Sequence, residues 1–374
     1  MNSELAIFAA RLREFIGFCG DETLAGLPPA ELRQHFDTEF NALALVLFGL
    51  QYRNNLPYRK LCAARGVCPD DLTHWTQIPA VPTAAFKELE LTSLAPTART
   101  AIFHSSGTTE QKPSRHFHHV DSLATYEAAL WSWFSQNCGM RNAECGVAIL
   151  TPPPAQAPRS SLVHMFAVVG QKLGAPETAF LGRVAPDSVW ELDFDATLRA
   201  LKPLSDAGRP MLVLGTAFSF VHLLDFLAEK NVRFVLPPGS RVMETGGYKN
   251  RSRSLPKVEL HALIMKFLGV SAESIICEYG MSELSSQAYE IRNSEFGIRN
   301  FQFPPWARVQ IISPETSREV AAGKTGLIRV FDLANVYSVM AVQTEDLGVR
   351  RGEGFELIGR TVAAEPRGCS LMTR

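Results

Sequence analysis

Hydroxyl, glycine and cationic residues are concentrated between an apolar segment and a predicted helix, in the stretch His104-Ser-Ser-Gly-Thr-Thr-Glu-Gln-Lys-Pro-Ser-Arg115. Gly107 can adopt backbone angles that other residues avoid, so successive N–H groups could converge on one oxyanion. Lys112 and Arg115 add positive charge that phosphate groups would neutralise. Further hydroxyl donors come from Ser105, Ser106, Thr108 and Thr109. The composition predicts a phosphate-holding loop. A polar surface turn has the same composition, and the glycine that a Walker A loop places directly before its lysine is missing.

A second polar cluster follows an apolar strand in Ile275-Ile-Cys-Glu-Tyr-Gly-Met-Ser-Glu283. In a nucleotide site, Tyr279 could lie against a base and Ser282 could bond a phosphate. Glu283 could hold Mg²⁺, which prefers carboxylate and phosphate oxygens. We expect Ser282 and Glu283 at a loop-to-helix junction. Taken alone, the segment also fits an ordinary strand end with a buried tyrosine.

A third cluster comprises one acidic and one basic residue near the end of the chain. Asp346 is expected just after a strand, and Arg360 just after another. A carboxylate can accept hydrogen bonds from both hydroxyls of a ribose, and an arginine could meet the same ribose or a phosphate. Taken alone, each residue also fits a surface turn.

The elements that position these clusters follow from hydrophobic periodicity. Apolar residues at three-and-four spacing predict a helical N-terminal subdomain over residues 1–95. Strand, loop and helix then alternate over residues 96–304, with strands predicted at Val147-Ala-Ile-Leu150, Met211-Leu-Val-Leu214 and Arg233-Phe-Val-Leu236. This alternation predicts an α/β core whose ligands bind at the carboxyl ends of the strands.

The last part of the chain changes to strands alone. Strands are predicted at Arg308-Val-Gln-Ile-Ile312, Gly326-Leu-Ile-Arg-Val-Phe331, Val336 to Gln343, and Gly354-Phe-Glu-Leu-Ile358. We therefore expect a β-rich lobe over residues 305–360. Residues 361–374 would form a mobile tail that carries Cys369.

Composition excludes several classes of protein. The chain has 374 residues and a net charge of −1, so it lacks the basic surplus of a nucleic-acid binder. Its seven cysteines are odd in number and scattered, which favours reduced thiols in a cytoplasm. The N-terminus lacks a signal-peptide pattern, and no stretch approaches the roughly 20 apolar residues of a membrane span. We expect a cytoplasmic protein with neither a nucleic-acid partner nor a membrane span.

In their order along the chain, the clusters resemble the adenylate-forming superfamily of acyl-CoA ligases. The matching pieces are Ser105-Ser-Gly-Thr-Thr-Glu, Glu244-Thr-Gly-Gly247, Tyr279-Gly-Met-Ser-Glu283, Thr344-Glu-Asp346 and Gly359-Arg360. With Ile78-Pro-Ala-Val-Pro-Thr-Ala-Ala-Phe-Lys87 and Arg367-Gly-Cys-Ser-Leu371, the chain is most similar to the acyl-protein synthetase (LuxE) family. This resemblance implies an α/β fold of the adenylate-forming N-terminal-domain type, with layered α/β subdomains and a C-terminal β-rich lobe. Only Thr361 to Arg374 follow Arg360, so the usual mobile C-terminal domain would be lacking.

The resemblance also implies a reaction. ATP and Mg²⁺ would activate a carboxylic acid, a long-chain fatty acid in this family, as acyl-AMP with release of pyrophosphate. The acyl group would then pass to Cys369 as a thioester, for delivery to a partner such as an acyl reductase.

The residue types and the resemblance together predict roles for individual residues. Catalytic roles fall to Cys369, Lys112 and His116, the last as a group that orients or deprotonates the reacting carboxylate. Glu283 would hold the metal. The residues expected to bind the nucleotide are Ser105, Ser106, Gly107, Thr108, Thr109, Lys112, Thr245, Gly246, Gly247, Tyr279, Gly280, Met281, Ser282, Asp346 and Arg360.

Alternatives remain open at this point. The adenylate could pass to CoA or to a carrier-protein thiol, and Cys369 would then be an inert tail thiol. The chain could also be a nucleotide-binding subunit without catalysis. His116-Phe-His118-His119 could bind a metal, although no carboxylate-rich frame surrounds these histidines in the sequence.

Overall fold

A computed structural model describes residues 3–20, 29–105, 112–140, 145–175, 177–186, 189–206, 208–246, 255–292 and 299–361. Its helices are α1 (Ser3–Cys19), α2 (Pro29–Asn54), α3 (Leu56–Ala64), α4 (Ala85–Glu88), α5 (Val120–Cys138), α6 (Ser161–Leu173), α7 (Phe194–Asp206), α8 (Ala217–Glu229) and α9 (Lys257–Leu268). Its strands are β1 (Val81–Pro82), β2 (Ala101–His104), β3 (Arg115–His118), β4 (Gly146–Ile149), β5 (Thr178–Phe180), β6 (Gly182–Val184), β7 (Trp190–Leu192), β8 (Met211–Thr216), β9 (Arg241–Thr245), β10 (Ile275–Tyr279), β11 (Ala288–Arg292), β12 (Arg299–Gln302), β13 (Ala307–Ile312), β14 (Thr325–Asp332), β15 (Ala341–Arg351) and β16 (Gly354–Arg360).

Twelve of these strands form one mixed sheet with a parallel and an antiparallel part. Strands β5, β4, β8, β9 and β10 are parallel neighbours in that order. From β10 the sheet continues through antiparallel neighbours in the order β11, β12, β16, β15, β14 and β13, and β1 adds a parallel pair beside β15. The change of direction at β10 is where polar residues follow the strand, which is the usual position of a ligand site in an α/β sheet.

The parallel part follows the predicted alternation of strand and helix. Strand β8 leads directly into α8, whose first turn is capped by the Thr216 side chain, which accepts a hydrogen bond from the Ser219 N–H. Helix α6 begins after Ser160, which caps it in the same way, and ends at Gly174 with φ of 62°. The side chains of β4 are buried throughout because helices cover both faces of this part of the sheet.

The N-terminal helices pack on the antiparallel part of the sheet. Phe40 and Phe48 of α2 belong to the same buried cluster as Trp306 and as Phe331 of β14. Segments from both ends of the chain therefore share one core. The proposed boundaries at residues 95, 304 and 360 stay a prediction. Within the described residues, no helix is long and apolar enough to cross a lipid bilayer.

The strand predicted at Arg233–Leu236 is wrong, because this segment instead covers the end of α9. The backbone N–H groups of Phe234 and Leu236 donate to the carbonyls of Phe267 and Leu268, at 2.8 and 2.9 Å. Those carbonyls lie at a helix end, where a helix offers them no donor of its own. The side chain of Val235 is 76% exposed, and the next strand of the sheet is β9.

The strand predicted from Val336 is also wrong over residues 336–340, which form turns before β15 begins at Ala341. The buried Gln51 side chain accounts for this local structure. Its amide nitrogen donates to the Asn335 and Val336 carbonyls, and its oxygen accepts from the Met340 N–H. A side chain on a distant helix thus replaces the hydrogen bonds that a neighbouring strand would provide.

Four further expectations about the polar clusters need correction. Asp346 lies inside β15 and Arg360 is the last residue of β16, so neither stands after a strand: β15 extends to Arg351, and β16 continues past the predicted end at Ile358. Ser282 and Glu283 stand between two strands, β10 and β11, and not at the start of a helix. The His-rich segment forms β3, which pairs with β2 as an antiparallel hairpin, so the phosphate-holding loop joins two strands.

Candidate active site at the carboxyl end of β10

The two ends of the predicted phosphate loop are held together by hydrogen bonds. The Ser105 N–H donates to the Ser114 carbonyl at 3.3 Å, and the Ser114 N–H donates to the Ser105 hydroxyl at 3.0 Å. The Lys112 ammonium lies 3.1 Å from a carboxylate oxygen of Glu88, and 52% of the Lys112 side chain is exposed. Ser106, Gly107, Thr108 and Thr109 lie outside the described residues.

Glu283 is the buried carboxylate of the site. One of its oxygens accepts a hydrogen bond from the Ser114 hydroxyl, and the other accepts from the Ser282 hydroxyl at 3.1 Å. Its backbone carbonyl accepts from the Asn335 amide at 2.9 Å. The phosphate loop and the loop after β10 therefore meet at this carboxylate.

The loop after β10 is held in place by hydrogen bonds to the carboxylate of Asp332, the last residue of β14. One carboxylate oxygen accepts from the Ser285 and Ser286 N–H groups at 2.8 Å each, and the other accepts from the Ser286 hydroxyl at 2.7 Å. Burial raises the pKa of Asp332 despite these hydrogen bonds to its charged form. Asp332 thereby fixes the position of Ser282 and Glu283 in the same loop.

His116 faces this loop from β3. Its Nδ1 lies 2.8 Å from the Ser282 carbonyl, and because a carbonyl only accepts, Nδ1 carries the proton. Burial lowers the pKa of His116 to about 4, although the bond to Ser282 acts in the opposite direction. At neutral pH the imidazole is uncharged, and its Nε2 has a free lone pair.

Other aromatic and imidazole rings pack beside His116. The His118 ring lies 4.3 Å from that of His116 and 4.7 Å from that of Phe103, measured between centroids. Burial lowers the pKa of His118 well below its ordinary value, and the neighbouring histidines act in the same direction. Among the described residues, these histidines do not join any group of three potential metal ligands. The structure therefore offers no support for a metal at the His-rich segment.

Tyr279, Asp346 and Arg360 come together on the other side of the β10 end. The Tyr279 hydroxyl donates to Asp346 at 2.9 Å, and Asp346 is paired with Arg360 across β15 and β16. The Arg360 guanidinium lies 3.9 Å from Asp346 and 2.9 Å from Glu345. The Tyr279 ring packs against Phe355 with centroids 5.3 Å apart. The second and third sequence clusters thus form one polar group.

The remaining predicted residues line the ends of β9 and β10. The Thr245 hydroxyl donates to the buried Glu278 carboxylate on the neighbouring strand. Burial raises the pKa of Glu278 to about 7, against the effect of that hydrogen bond. Gly246 has φ of +72°, and a side chain at Gly280 would collide with the Glu278 carboxylate. Gly247 lies outside the described residues.

Met281, also predicted in the site, packs against the core that the N-terminal helices share with β14 and β15. The described residues place Ser105, Ser282 and Glu283 with His116, and Tyr279 with Asp346 and Arg360. Lys112 instead contacts Glu88 of α4. Cys369 lies outside the described residues, so its position relative to the site is a prediction.

Sequence reasoning missed three residues that position the site: Ser114, Asp332 and Glu278. Ser114 was part of the quoted loop, and its hydroxyl resembled any other in that run. Asp332 ends the apolar β14, and a polar residue at the end of an apolar strand is the same signal that drew attention to Glu283 after β10. Glu278 was a carboxylate within an apolar strand, and such a residue is rarely buried without a specific partner.

The fold is that of acyl-CoA ligases of the adenylate-forming type. It is similar to 2-hydroxyisobutyryl-CoA ligase in the postadenylation state with 2-HIB-AMP, with a TM-score of 0.64 and 15% identity over 89% of this chain and 72% of that chain. An open conformation of the same enzyme gives a TM-score of 0.64 and 15% identity over 89% of this chain and 74% of that chain. The predicted α/β adenylate-forming fold is confirmed.

The chain belongs to the acyl-protein synthetase (LuxE) family, whose model matches residues 27–374. It is 26% identical over 340 residues to the "Long-chain-fatty-acid--luciferin-component ligase" of Vibrio harveyi, covering 86% of this chain and 83% of that protein. The protein of the same name from Aliivibrio fischeri is 25% identical, over 87% of this chain and 85% of its own length. The family predicted from the sequence is confirmed, and the chain is an acyl-activating enzyme of the ligase class.

Proposed function

We propose that the protein converts a long-chain fatty acid and ATP into acyl-AMP and pyrophosphate, and then holds the acyl group as a thioester on Cys369. The observation that carries this proposal is the meeting of two polar groups at the end of β10. Ser114, Ser282 and Glu283 form one, and Tyr279 and Asp346 form the other. The names of the relatives support the fatty acid as substrate.

The nucleoside would lie against Tyr279 and Asp346. The Tyr279 hydroxyl donates a hydrogen bond to one oxygen of Asp346, which would hold the ring in place for contact with adenine. The other oxygen of Asp346 can accept from ribose hydroxyls. Arg360, opposite Asp346 in the sheet, adds positive charge for the same ribose or for the α-phosphate.

The phosphates would lie along the loop that joins β2 and β3. Ser105, Ser106, Gly107, Thr108 and Thr109 would provide hydroxyl and N–H donors. The half-exposed Lys112 would exchange its exposed partner Glu88 for a phosphate, since an exposed ion pair contributes little stability.

Glu283 fits a Mg²⁺ ion by the chemistry of its donors. Each carboxylate oxygen accepts one hydrogen bond from a serine hydroxyl and keeps a further lone pair for a metal ion. Within the described segments, no lysine or arginine forms an ion pair with Glu283, so its buried negative charge is compensated by hydroxyls alone. When bound, Mg²⁺ would offset negative charge on the departing pyrophosphate.

His116 would orient the carboxylate of the acid. The imidazole is neutral and buried, and Ser282 holds its Nδ1 proton, so Nε2 is left to meet the substrate. A carboxylate arriving near Nε2 would raise the pKa of His116 and favour its protonation there. The charged pair would then hold the acid for attack on the α-phosphate.

The second half of the reaction needs a nucleophile. The Cys369 thiolate would attack the carbonyl carbon of acyl-AMP, forming the C–S bond as the C–O bond to AMP breaks, and the thiol proton leaves to solvent. The thioester would then serve a partner that accepts or reduces acyl groups, in the cytoplasm.

Exchange of labelled pyrophosphate into ATP tests the first half-reaction alone. We expect exchange that requires both Mg²⁺ and a fatty acid, with a dependence on chain length. Acids of several lengths and a short hydroxy acid should be compared, because the related fold also occurs in a 2-hydroxyisobutyryl-CoA ligase. Absence of exchange with every acid, in protein that is folded, would contradict the proposal and favour a subunit without catalysis.

A further inference from the structure

A group of potential metal ligands lies on the face of the sheet that α9 covers. Glu244 of β9 and Cys277 of β10 are paired in register, and His261 of α9 reaches the same point. Side chains alternate along a strand, so Thr245 and Glu278, which follow them, point to the opposite face. The group is therefore separate from the candidate active site.

One nitrogen of His261 faces two different partners. The Nε2 atom lies 3.4 Å from a Glu244 carboxylate oxygen and 3.6 Å from the Cys277 sulfur. A neutral imidazole nitrogen carries either a proton or a lone pair, so it can donate to the carboxylate or accept from the thiol, but not both. Hydrogen bonding through this nitrogen can therefore satisfy only one of these two contacts at a time.

The two separations from the His261 nitrogen match edges of a tetrahedron around zinc. Zinc lies about 2.0–2.1 Å from histidine nitrogen, about 2.3 Å from thiolate sulfur and about 2.0–2.2 Å from carboxylate oxygen, and tetrahedral angles then place N and S about 3.6 Å and N and O about 3.4 Å apart. All three ligand atoms lie within 4.8 Å of one another. We propose that Glu244, His261 and Cys277 bind one Zn²⁺ ion.

The charges of the ligands and their access to solvent are both compatible with a zinc ion at this site. The Glu244 carboxylate and the Cys277 thiolate together balance the charge of Zn²⁺, so the loaded site is neutral, which suits its burial. The Glu244 side chain is 9% exposed, that of His261 is 16% exposed, and Cys277 is 2% exposed. A surface cleft lined in part by Lys257 and His261 would admit the ion, and water from the cleft would be the fourth ligand.

Lys257 is the nearby positive charge that a cation must tolerate. Its ammonium lies 2.6 Å from a Glu290 carboxylate oxygen, which offsets its charge. Lys257 and His261 are one turn apart on α9, so the helix carries both the ligand and the lysine of this ion pair, whose acid Glu290 is on β11. Zinc binding would replace the thiol proton of Cys277 by the metal and release that proton to solvent.

The ion would tie α9 to the ends of β9 and β10. Gly246 and Tyr279, two residues beyond Glu244 and Cys277, belong to the predicted nucleotide site. Zinc would thus stabilise the strands that present those residues without touching the substrate. This role is structural and does not depend on the proposed acyl transfer.

The test uses Co²⁺, which takes tetrahedral zinc sites and absorbs light when bound to thiolate. Full-length protein is stripped with a chelator and titrated with Co²⁺, and Zn²⁺ is then added. We expect one Co²⁺ per chain, a sulfur-to-cobalt charge-transfer band in the near ultraviolet, and loss of this band on adding Zn²⁺. Zn²⁺ alone should raise the Tm of the stripped protein. Absence of the band in folded wild-type protein would overturn the proposal.

Two matched thiol variants identify the ligand. Cys277→Ala should lose the band, while Cys138→Ala, which also removes a buried thiol, should keep it. Glu244→Gln retains the side-chain shape and should weaken Co²⁺ binding by at least about tenfold. This variant tests the proposed site independently if Cys277→Ala does not fold. A band that persists in Cys277→Ala, or unchanged affinity in Glu244→Gln, would show that the metal binds elsewhere.

Discussion

The hydroxyl of Ser114 donates a hydrogen bond to the carboxylate of Glu283, although 169 positions separate the two residues in the sequence. Ser114 ends the phosphate loop before β3, and Glu283 stands in the loop after β10. This contact joins two motifs that sequence analysis treated separately. In the proposed function, this contact would place a buried carboxylate beside the phosphates of ATP.

Substitutions at this contact should weaken adenylation to different degrees. Glu283→Gln removes the charge proposed to hold Mg²⁺, and we expect pyrophosphate exchange to fall at least about 100-fold. Ser114→Ala removes one hydrogen bond to a charged group, worth about 1.5–3 kcal/mol, and should lower exchange by about 10-fold or more. In the double variant, the two losses of exchange activity, expressed as free energies, should sum to less than the total of the single variants, because the two groups share one interaction. Full additivity would show that Ser114 acts elsewhere.

Tyr279→Phe should affect the binding of ATP more than the chemical step. The ring would remain packed on Phe355, while Asp346 would lose a hydrogen bond of 2.9 Å. A lost hydrogen bond to a charged group, worth about 1.5–3 kcal/mol, corresponds to a KM for ATP raised by about 10-fold or more with kcat nearly unchanged. Steady-state kinetics with saturating acid measure both constants. A fall in kcat at constant KM would instead indicate a direct role in catalysis.

Asp332→Asn should destabilise the fold and the active site together. Asparagine offers only one acceptor oxygen, and its NH₂ group would face donors that Asp332 now accepts from, namely the Ser285 and Ser286 N–H groups or the Ser286 hydroxyl. Leaving buried donors unsatisfied costs about 1–3 kcal/mol in the free energy of unfolding. Urea denaturation measures this loss, with Asp70→Asn as an exposed control. Equal midpoints for the two variants would contradict the support assigned to Asp332.

The low pKa of His116 makes stability depend on pH. Its folded pKa of about 4 lies below the unfolded value of about 6.5, so the unfolded chain binds more protons between these values. The neutral buried imidazole therefore contributes stability that is present above about pH 6.5 and is lost as the pH falls toward 4. His116→Gln cannot titrate, so its unfolding free energy should fall less over this range, by about 3 kcal/mol. Parallel pH profiles for wild type and variant would contradict the shift.

Much of the fold could be predicted because local patterns decide it. The apolar runs that became β4, β8 and β14 are buried, and the periodic residues that became α6 form an amphipathic helix with a capping serine. The errors occur where distant groups decide the backbone. Arg233–Leu236 looks like a strand by composition, but it bonds to the end of α9, and residues 336–340 follow the Gln51 side chain.

In the candidate site, too, local sequence indicated the residue types, whereas distant groups determine their contacts. Residue types led us to predict Tyr279, Glu283, Asp346 and Arg360 as site residues, because each proposed role needs those functional groups. Their contacts could not be predicted, since the bond from Tyr279 to Asp346 spans 67 positions and depends on the order of strands in the sheet. Support from Asp332 was missed for the same reason.

Incubation with labelled fatty acid tests whether the activated acyl group moves to Cys369. Wild-type protein incubated with ATP, Mg²⁺ and labelled acid should retain label after denaturation, and hydroxylamine should release it, as it does from thioesters. Cys369→Ser should lose this label and keep pyrophosphate exchange, while Cys68→Ser, which removes a partly exposed thiol, should keep both. Label that persists in Cys369→Ser, or wild-type protein that stays unlabelled but forms acyl-CoA when CoA is added, would contradict the account.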